Sequence, residues 1–542
     1  MNGTMMQYPL TLRPMLDRAA ALYPRVEIVS REPDNTIVRE NYCALRHRAL
    51  ALAEGLQQAG LQRGDRVATL MWNHGTHLEA YFGIPLAGGV IHTLNLRLHP
   101  DELSYIINHA EDRFLIIDNN LLPIFERVPS TRFERIFVVR HTGCDFNCEH
   151  LEDYEALLAT ANGNFSAPLL NENEAAAMCY TSGTTGKPKA VVYSHRALVL
   201  HSLALGLVDG MALSSSDTVM PVSSMFHANA WGIPYAATML GAKQVFPGPY
   251  VDAERVLDLL ERERVTFSGG VPTVWLAVAQ ALEDQPDRWK LQPALRVVIA
   301  GSALPESLIR RFDRFGITAI QLWGMTETTP IATFCKLKPH LRNEPEDQTY
   351  ALRATQGIAL PFVEIRACND QREVPWDGST MGELQVRGPW VAGSYYNLLE
   401  ENARWTDDGW LRTGDVVTID DEGYVKITDR QKDLIKSGGE WISSVDLENA
   451  IVAHPSVKEA AVVAIPHPRW QERPLALVVR VEGRLVTPQD LRDLLLEKFA
   501  KWQLPDDFVF VNELPHTSTG KLLKTELRNS YAHWHQPGKV KN

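Results

Sequence analysis

From Tyr180 to Arg196 the chain reads Tyr-Thr-Ser-Gly-Thr-Thr-Gly-Lys-Pro-Lys-Ala-Val-Val-Tyr-Ser-His-Arg. Gly183 and Gly186 let the backbone bend so that successive N–H groups point into one concavity, which is a geometry that binds anions. Hydroxyl and ammonium groups surround this bend, and they belong to Thr181, Ser182, Thr184, Thr185, Lys187 and Lys189. The stretch, which we call the phosphate loop, therefore predicts a clamp for a polyphosphate.

The phosphate loop does not follow the Walker A pattern. That pattern needs four residues between its glycines and a Ser or Thr after the lysine, whereas here two residues separate the glycines and Pro188 follows Lys187. The flanks, residues 175–180 and 191–193, are rich in β-forming residues, so we predict that the loop joins two strands. The alternative is an ordinary surface turn, in which the lysines and hydroxyls would have no role.

The composition predicts a soluble globular protein of at least two domains. A chain of 542 residues is too long for one hydrophobic core, and its 45% hydrophobic content can fill two. The net charge of −12 argues against a nucleic-acid surface. There is no apolar run of about eighteen residues, and residues 1–13 lack the pattern of a signal peptide. We expect a cytoplasmic location, no integral membrane segment and no nucleic-acid partner.

The six cysteines are few and scattered, as expected of reduced thiols, and imply no disulfide framework. One group is more compact, because His141, Cys144, Cys148 and His150 lie close enough in sequence to ligate zinc. Their spacing matches no standard zinc site, and the residues around them are typical of a surface loop. We therefore expect a loop here rather than a zinc site.

Helical and strand patterns alternate through the first part of the chain. Residues 12–22 and 44–56 have helical apolar spacing, and short apolar runs at residues 67–71, 90–94 and 114–118 indicate strands. This alternation predicts an α/β fold with a large N-terminal domain of helix-covered, largely parallel sheets.

Two further predicted strands end in loops that could meet a ligand. Residues 296–300 lead into Gly301-Ser302-Ala303, and residues 319–322 lead into Trp323-Gly324-Met325-Thr326-Glu327. In open α/β sheets ligands bind beyond the carboxyl ends of strands, so both loops are predicted to face a nucleotide. A carboxylate beside a phosphate clamp requires a cation between them, which makes Glu327 a candidate Mg²⁺ ligand. The alternative for Glu327 is a charge at a helix N-terminus.

A run of charged residues between two apolar segments predicts a domain boundary. We assign residues 1–428 to the N-terminal domain, residues 429–433 to a hinge, and residues 434–542 to a small, mobile α+β C-terminal lid. The lid carries two lysine-bearing loops, Lys436-Ser-Gly-Gly-Glu-Trp441 and Pro515-His-Thr-Ser-Thr-Gly-Lys-Leu-Leu-Lys524. Because the phosphate loop lies on the other domain, the site is predicted to assemble when the domains close.

These motifs together resemble the adenylate-forming superfamily, which includes acyl- and aryl-CoA synthetases, peptide-synthetase adenylation domains and beetle luciferases. The resemblance covers nearly the whole chain. Its run Lys432-Asp-Leu-Ile-Lys-Ser-Gly-Gly-Glu-Trp-Ile-Ser-Ser444 is most similar to medium-chain fatty-acyl-CoA ligases and methylthiopropionate-CoA ligases. Two positions depart from the usual pattern: Ala190 stands where glycine is usual, and Trp323 where tyrosine is commoner.

The resemblance implies a role for each site residue. Thr181 and Glu327 would hold Mg²⁺, Lys521 would bridge the carboxylate and the α-phosphate, and the loop from Lys436 to Trp441 would meet the CoA thiol after the domains rotate. The nucleotide and CoA set comprises Thr181, Ser182, Gly183, Thr184, Thr185, Gly186, Lys187, Gly301, Ser302, Ala303, Gln321, Trp323, Gly324, Thr326, Asp415, Ile427, Arg430, Lys432, Lys436, Gly438, Gly439, Glu440, Trp441 and Lys521. The acyl set comprises His227, Ala228, Trp231, Gly301 and Met325.

Some of these assignments have plain structural alternatives. On sequence alone His227 and Trp231 could be core residues, Asp415 could be a turn aspartate after Gly414, and Lys521 could be a surface lysine. The resemblance favours the functional interpretation: Asp415 would bind ribose, Arg430 ribose or phosphate, and Lys432 would be the pivot.

The implied reaction is an ATP-dependent ligation. ATP would activate a carboxylic acid as an acyl-adenylate with release of pyrophosphate, and the acyl group would then pass to coenzyme A. A medium-chain fatty acid is the expected substrate, with a short-chain, methylthio or aromatic acid as the alternative. A different class, a non-catalytic protein that binds nucleotide or acyl-adenylate, is hinted at only by Ala190. The family also suggests a homodimer.

Overall fold

The computed structural model of the chain describes residues 1, 3–141, 151–181, 187–369, 372–398, 403–437, 440–517 and 521–534. Predictions that concern Ser182, Gly183, Thr184, Thr185, Gly186, Gly438, Gly439, Cys144, Cys148 and His150 lie outside the described residues.

The helices alternate with strands in the first three quarters of the chain, as the sequence predicts. In chain order they are α1 Arg13–Leu22, α2 Tyr42–Gln58, α3 Gly75–Leu86, α4 Pro100–Ala110, α5 Leu122–Phe125, α6 Tyr154–Ala159, α7 His195–Gly206, α8 Ile233–Leu240, α9 Ala253–Arg262, α10 Pro272–Asp284, α11 Glu306–Asp313, α12 Glu346–Arg353, α13 Ser444–Val452, α14 Pro488–Leu496 and α15 Lys524–Tyr531.

The strands build four sheets. They are β1 Glu27–Arg31, β2 Ile37–Asn41, β3 Arg66–Leu70, β4 Val90–Thr93, β5 Asp112–Asp118, β6 Arg135–Val139, β7 Glu152–Asp153, β8 Ala175–Tyr180, β9 Ala190–Ser194, β10 Thr218–Pro221, β11 Lys243–Phe246, β12 Phe267–Gly270, β13 Arg296–Ile299, β14 Thr318–Gly324, β15 Ile331–Phe334, β16 Ile358–Ala359, β17 Glu364–Asn369, β18 Arg372–Glu373, β19 Gly382–Arg387, β20 Leu411–Ile419, β21 Val425–Arg430, β22 Ile435–Ser437, β23 Glu440–Ile442, β24 Val457–His467, β25 Gln471–Arg480 and β26 Asp507–Val511.

The first sheet has seven strands in the order β7-β6-β5-β3-β4-β8-β9 and is parallel except for the last pair. Alternate side chains of its strands enter different cores. Phe114 and Ile116 join the core shared with α2 and α3, whereas Leu115 and Ile117 join the core shared with α4. Helices therefore cover both faces, and β8 and β9 are the two strands predicted on either side of the phosphate loop.

The second sheet has nine strands in the order β16-β15-β14-β13-β12-β10-β11-β1-β2. It is parallel from β14 to β1 and antiparallel at its two edges. Val298 packs in the core with residues of α7 and α8, and Val297 packs on the other face with α9, α10 and α11. Both large sheets thus confirm the helix-covered, largely parallel architecture.

The third sheet, β18-β17-β19-β20-β21, is entirely antiparallel, which the largely parallel prediction did not include. Its last strand, β21, extends to Arg430, two residues into the predicted hinge of 429–433. The reason is pairing, because Arg430 faces Asp415 and Asp429 faces Val416 across β20. The domain boundary itself stays a prediction.

The C-terminal part is a small α+β unit, as predicted. Strands β23-β22-β25-β24 are antiparallel, and β26 pairs parallel with β25. Helices α13 and α14 pack on one face of this sheet, and α15 packs on the other. The described cysteines, Cys43, Cys179, Cys335 and Cys368, are free thiols. None of the helices among the described residues has the length and apolar character that crossing a membrane would need.

Candidate active site

A cavity of about 590 Å³ lies where the carboxyl ends of β8, β13 and β14 approach the C-terminal unit. Its walls bring together residues from widely separated segments of the chain. Those predicted from the sequence are Thr181, Lys187, His227, Ala228, Trp231, Gly301, Gly324, Met325, Thr326, Glu327, Arg430, Lys432 and Lys521. The cavity therefore contains residues predicted to bind metal, phosphate and acyl group.

The described ends of the phosphate loop continue the strand pairing of β8 and β9. The Thr181 amide donates to the Lys189 carbonyl at 2.9 Å, and the Lys189 amide donates to Thr181 Oγ1 at 3.0 Å. Lys187 and Lys189 lie 5.0 and 5.1 Å from the ring centroids of Tyr105 and Tyr395. Both lysines line the cavity, so their positive charge lies where the sequence predicts phosphate.

Ala190, where the family usually has glycine, is the first residue of β9. It lies opposite Tyr180, and its side chain is buried with Val90, Ala110 and Met178. The methyl group therefore fills a small apolar cluster and is outside the residues that line the two cavities.

Glu327 projects from a short 3-10 turn, Thr326–Thr328, that follows β14. Its carboxylate is buried, with 4% of the side chain exposed. The Tyr395 hydroxyl donates to Oε1 of this carboxylate, and Arg404 Nη2 lies 3.7 Å from the same oxygen. The Tyr193 hydroxyl donates to the Thr326 carbonyl at 2.7 Å. The glutamate is thus held in one orientation at the edge of the cavity.

A second cavity, of about 240 Å³, adjoins the first and shares Gly301, Gly324, Arg430, Lys432 and Lys521 with it. It brings together those predicted nucleotide residues of the N-terminal part that the structure describes and that do not line the first cavity. These are Ser302, Ala303, Gln321, Trp323, Asp415 and Ile427.

The Trp323 indole Nε1 donates to Asp415 Oδ2 at 2.9 Å, and Arg430 Nε lies 3.3 Å from Asp415 Oδ1. Gln321 Oε1 accepts from the Leu304 amide at 2.6 Å, which fixes the loop that begins at Gly301. Asp415 is therefore oriented from both sides, and a carboxylate in this position can accept hydrogen bonds from vicinal hydroxyls.

His227 precedes an unusual turn. From Ala228 to Gly232 five consecutive residues have positive φ angles between 37° and 72°, which is a left-handed turn. Non-glycine residues pay about 1–2 kcal/mol each for this conformation, so it persists only where its surroundings hold it. Here the Cys179 thiol donates to Asn229 Oδ1 at 3.0 Å. The turn places both Ala228 and Trp231 on the cavity wall.

The electrostatics at His227 keep its imidazole uncharged. Burial, followed by the charges of Lys521 and Arg97, lowers the pKa of His227 to about 3. At neutral pH the ring is therefore a neutral donor or acceptor beside the cavity.

Lys521 reaches the cavity from the C-terminal unit. Two hydrogen bonds hold its backbone, because the Thr517 amide donates to the Lys521 carbonyl at 2.7 Å and the Lys521 amide donates to Thr517 Oγ1 at 3.1 Å. A Cβ atom added to Gly301 would lie 3.7 Å from Lys521 Cε, so the lysine stem passes directly over that glycine. Burial, then the charge of Arg430, lowers the pKa of Lys521 to about 8.

The predicted loop from Lys436 to Trp441 belongs to the antiparallel pair β22–β23. Lys436 Nζ lies 5.4 Å from the ring centroid of Trp441, and Trp441 is 45% exposed. Lys436, Glu440 and Trp441 are outside the sets of residues that line the two cavities. The structure thus brings Lys521 to the cavity but not this hairpin.

Family models match most of the chain. A model of AMP-binding enzymes matches residues 16–396, and a model of the AMP-binding enzyme C-terminal domain matches residues 446–521. The chain belongs to the AMP-binding enzyme family.

Members of the AMP-binding enzyme family that have curated names are similar over nearly the full length of this chain. A long-chain-fatty-acid–CoA ligase of Thermus thermophilus is 51% identical and covers 98% of both chains. A 3-methylmercaptopropionyl-CoA ligase of Ruegeria lacuscaerulensis is 43% identical over 98% of this chain and 99% of its own. A medium-chain-fatty-acid–CoA ligase of Ectopseudomonas oleovorans is 41% identical over 98% of each.

Solved structures of this kind of protein share the fold. Anthranilate CoA ligase AuaEII in complex with anthranoyl-AMP superposes with a TM-score of 0.84 at 24% identity, covering 96% of this chain and 97% of its own. ATP-bound MatB from Rhodopseudomonas palustris gives a TM-score of 0.80 at 26% identity, covering 98% of this chain and 100% of its own.

Three side chains of this AMP-binding enzyme were missed by sequence reasoning. Tyr395 and Arg404 contact Glu327, and Gln356 Oε1 accepts from the Ile427 amide at 2.6 Å in the wall of the second cavity. Each lies in a connecting segment outside the motifs that predict the site from the sequence. Only the tertiary fold brings them to the site.

Proposed function

We propose that this chain, an AMP-forming acyl-CoA synthetase by family and relatives, activates a medium-chain fatty acid with ATP and transfers it to coenzyme A. The observation that carries the proposal is the 590 Å³ cavity in which Lys521 of the C-terminal unit meets Thr181, Lys187 and Glu327 of the larger part. A carboxylate is a poor electrophile, so its coupling to a thiol requires one oxygen to become part of a leaving group. Attack of the carboxylate on the α-phosphorus of ATP provides this and releases pyrophosphate.

Lys521 is proposed to align the two anions that react. Its ammonium group can contact the carboxylate and the α-phosphate together, which offsets their mutual repulsion and the charge that develops in the transition state. The phosphate loop, with Ser182, Thr184, Thr185 and Lys187, is proposed to hold the β- and γ-phosphates.

Glu327 and Thr181 are the proposed holders of Mg²⁺. A buried carboxylate and a hydroxyl on one cavity wall fit a cation that prefers oxygen ligands, and Tyr395 fixes one carboxylate oxygen. When bound there, Mg²⁺ would neutralise phosphate charge.

The acyl group is proposed to lie against His227, Ala228, Trp231, Gly301 and Met325. Val271, Leu322 and Ile331 make this side of the cavity apolar, which supports an aliphatic chain. His227 is neutral and would lie beside the acyl carboxylate without adding a second positive charge that competes with the Lys521 ammonium group for that carboxylate. Relatives with long-chain, medium-chain and 3-methylmercaptopropionyl names leave a short, methylthio or aromatic acid as the second candidate.

Thioester formation is proposed to follow a rotation of the lid about residues 429–433, with Lys432 as the pivot. This would withdraw Lys521 and bring Lys436, Gly438, Gly439, Glu440 and Trp441 to the acyl-adenylate. The exposed position of the β22–β23 hairpin supports two positions of the lid, because the hairpin lies away from the cavities while Lys521 lines them.

The substrate class is tested by pyrophosphate release with straight-chain acids from butyrate to dodecanoate, together with 3-methylthiopropionate and benzoate. We expect the highest kcat/KM with an acid in the middle of the series. Turnover of benzoate alone, or of no straight-chain acid, would overturn the fatty-acid assignment.

The division of labour is tested by Lys521→Ala. We expect the adenylation rate to fall by at least about 10²-fold, the loss usual for an electrostatic group of the transition state, while thioester formation from supplied acyl-adenylate is spared. Lys501→Ala is the matched control, since Lys501 is an exposed lysine of the same unit. Equal loss of both half-reactions would contradict the proposal.

We further propose a cytoplasmic homodimer. Free thiols at the four described cysteines support a reducing compartment. Light scattering after gel filtration measures the assembly, and a monomeric mass would refute the dimer.

A further inference from the structure

Four polar side chains gather away from the active-site cavities, each at or just after the end of a strand. Asp118 ends β5, while His74 and His141 follow β3 and β6, the two strands that flank β5. Glu32 follows β1, which belongs to the other large sheet. Because these strands are parallel within the first sheet, their carboxyl ends share one edge, where open α/β sheets bind ligands.

Three of these side chains converge on one point. His74 Nε2 lies 3.0 Å from each oxygen of Asp118, and His141 Nε2 lies 3.0 Å from Asp118 Oδ1. One ligand atom from each of the three residues lies within 4.8 Å of the others. All three are buried: the exposed fractions are 3%, 0% and 7% for His74, Asp118 and His141.

The His141 ring points a buried nitrogen at this centre. Its Nε2 contacts only Asp118 Oδ1 among the described residues, and this contact is not a well-aligned hydrogen bond. Its other nitrogen, Nδ1, contacts the Glu32 carboxylate. When Nε2 releases its proton to solvent, the carboxylate on Nδ1 holds the remaining ring proton and Nε2 can ligate a metal, as in the carboxylate–histidine–metal arrangement.

Asp118 is oriented in the same way. The Trp72 amide donates to Oδ2 at 2.8 Å, which leaves Oδ1 facing the two imidazoles. Tetrahedral ligands with zinc bonds of 2.0–2.1 Å lie about 3.3 Å apart, and the 3.0 Å separations here approach this value.

We propose that His74, Asp118 and His141 form a binding site for a Zn²⁺-class divalent metal, with Glu32 supporting His141 from outside. Two imidazoles and one carboxylate suit zinc, whereas Mg²⁺ and Ca²⁺ take oxygen ligands, so the site is distinct from the Glu327 site. Binding has one local cost. His74 Nδ1 accepts from the His77 amide at 3.3 Å, and this long contact opens when Nε2 ligates the metal and the ring proton moves to Nδ1.

A metal here would fasten the loop that leads to the active site. The residue before His74 is Asn73, whose side chain donates to the carbonyls of Pro221 and Ser223 at 3.1 and 2.9 Å and accepts from the Met225 amide at 2.8 Å. That segment continues to His227. The metal therefore has a structural role, and its loss should lower thermal stability more than it changes the acid preference.

The test starts from full-length protein stripped with a chelator and dialysed against Zn²⁺, with bound metal measured by elemental analysis after gel filtration. We expect about one Zn²⁺ per chain, lost in His141→Gln and Asp118→Asn and weakened about 10–100-fold in Glu32→Gln, the usual effect of losing a supporting carboxylate. His92→Gln is the matched control, because His92 and Asp112 form a buried pair at 2.8 Å outside this group. Wild-type protein that binds no zinc, or His141→Gln that binds as the wild type does, would overturn the proposal.

Two further measurements keep the proposal falsifiable if a ligand variant fails to fold. Wild-type protein loaded with Co²⁺ should show visible bands of a nitrogen and oxygen site without thiolate charge transfer. The double variant Cys144→Ser and Cys148→Ser should retain its zinc. Thiolate bands in the Co²⁺-loaded wild type, or loss of zinc from this variant, would assign the metal to the cysteines instead. Neither result depends on the ligase activity.

Discussion

At the scale of single residues, Trp323 contributes a hydrogen-bond donor to the site as well as an aromatic ring. Its Nε1 donates to Asp415, which also faces Arg430. We predict that Trp323→Phe keeps an aromatic face but raises the KM for ATP roughly tenfold or more, since hydrogen bonds to charged groups contribute about 1.5–3 kcal/mol.

The measurement is the KM for ATP in pyrophosphate release, compared with the KM for 2′-deoxy-ATP. If Asp415 binds ribose, Trp323→Phe should raise the KM less for the deoxy nucleotide than for ATP. Equal losses with both nucleotides would separate Trp323 from ribose recognition.

The proposed role of Lys521 predicts a pH dependence of the adenylation step. Its ammonium form predominates below its pKa of about 8 and is lost as pH rises through that value. We predict that kcat/KM for adenylation, which reports the free enzyme, declines above about pH 8. In Lys521→Arg, whose guanidinium stays charged, this decline should move to higher pH; an unmoved limb would assign it to another group.

Tyr395 is the third residue whose removal is informative. Tyr395→Phe takes away the hydroxyl that donates to Glu327 and leaves the ring next to Trp405. We predict an adenylation rate about tenfold lower, the size expected for one hydrogen bond to a charged group, and a higher Mg²⁺ concentration for half-maximal rate. Tyr396→Phe is the control, and an unchanged Mg²⁺ requirement would remove Glu327 from the metal site.

At the scale of elements, the left-handed turn from Ala228 to Gly232 shapes the cavity wall against which we propose that the acyl group lies. Gly232 has φ +72°, and an added Cβ would lie 2.5 Å from His201 Nδ1. We predict that Gly232→Ala lowers the free energy of unfolding by about 2 kcal/mol or more through backbone strain and this clash. Gly393→Ala, with nothing within 4 Å of the new Cβ, is the control in chemical denaturation; equal stability of the two would show that the turn is not strained.

Elements also show where sequence reasoning succeeds and where it ends. Strands β8 and β9 and the loop after β14 were predictable because their signals are local: β-forming flanks, glycines and a short polar run. The left-handed turn was not, because only Gly232 marks it and the other positive φ angles fall on Ala228, Asn229, Ala230 and Trp231. Tyr395 contacts Glu327 although 68 residues separate them in the sequence, and no local sequence pattern predicts such a contact.

At the scale of the whole molecule, polar contacts connect the end of β21 to the C-terminal unit. The Ser444 hydroxyl and amide both donate to Asp429 Oδ2, and Lys524 Nζ lies 2.6 Å from Ser444 Oγ and 2.7 Å from Glu448 Oε1. Glu448 and Lys524 are both largely buried, with 12% and 10% of their side chains exposed. A buried ion pair that loses one partner leaves a charge without compensation.

We predict that Lys524→Met lowers the free energy of unfolding of the C-terminal unit by about 3–5 kcal/mol. The measurement is denaturant unfolding followed by tryptophan fluorescence, with the exposed Lys458→Met as control. A variant as stable as the control would mean that Glu448 is neutral or solvated in the folded protein.

The pairing of Asp415 with Arg430 on adjacent strands has a consequence for the timing of the reaction. Arg430 lies inside the proposed hinge of residues 429–433 and Asp415 precedes it, but both are held in the antiparallel ladder of β20 and β21. Rotation of the lid would then move Lys521 away while the proposed ribose ligands, Asp415 and Arg430, keep their positions. The acyl-adenylate would therefore be retained by its nucleotide half until the thiol arrives, and it would not dissociate into water, where it would hydrolyse.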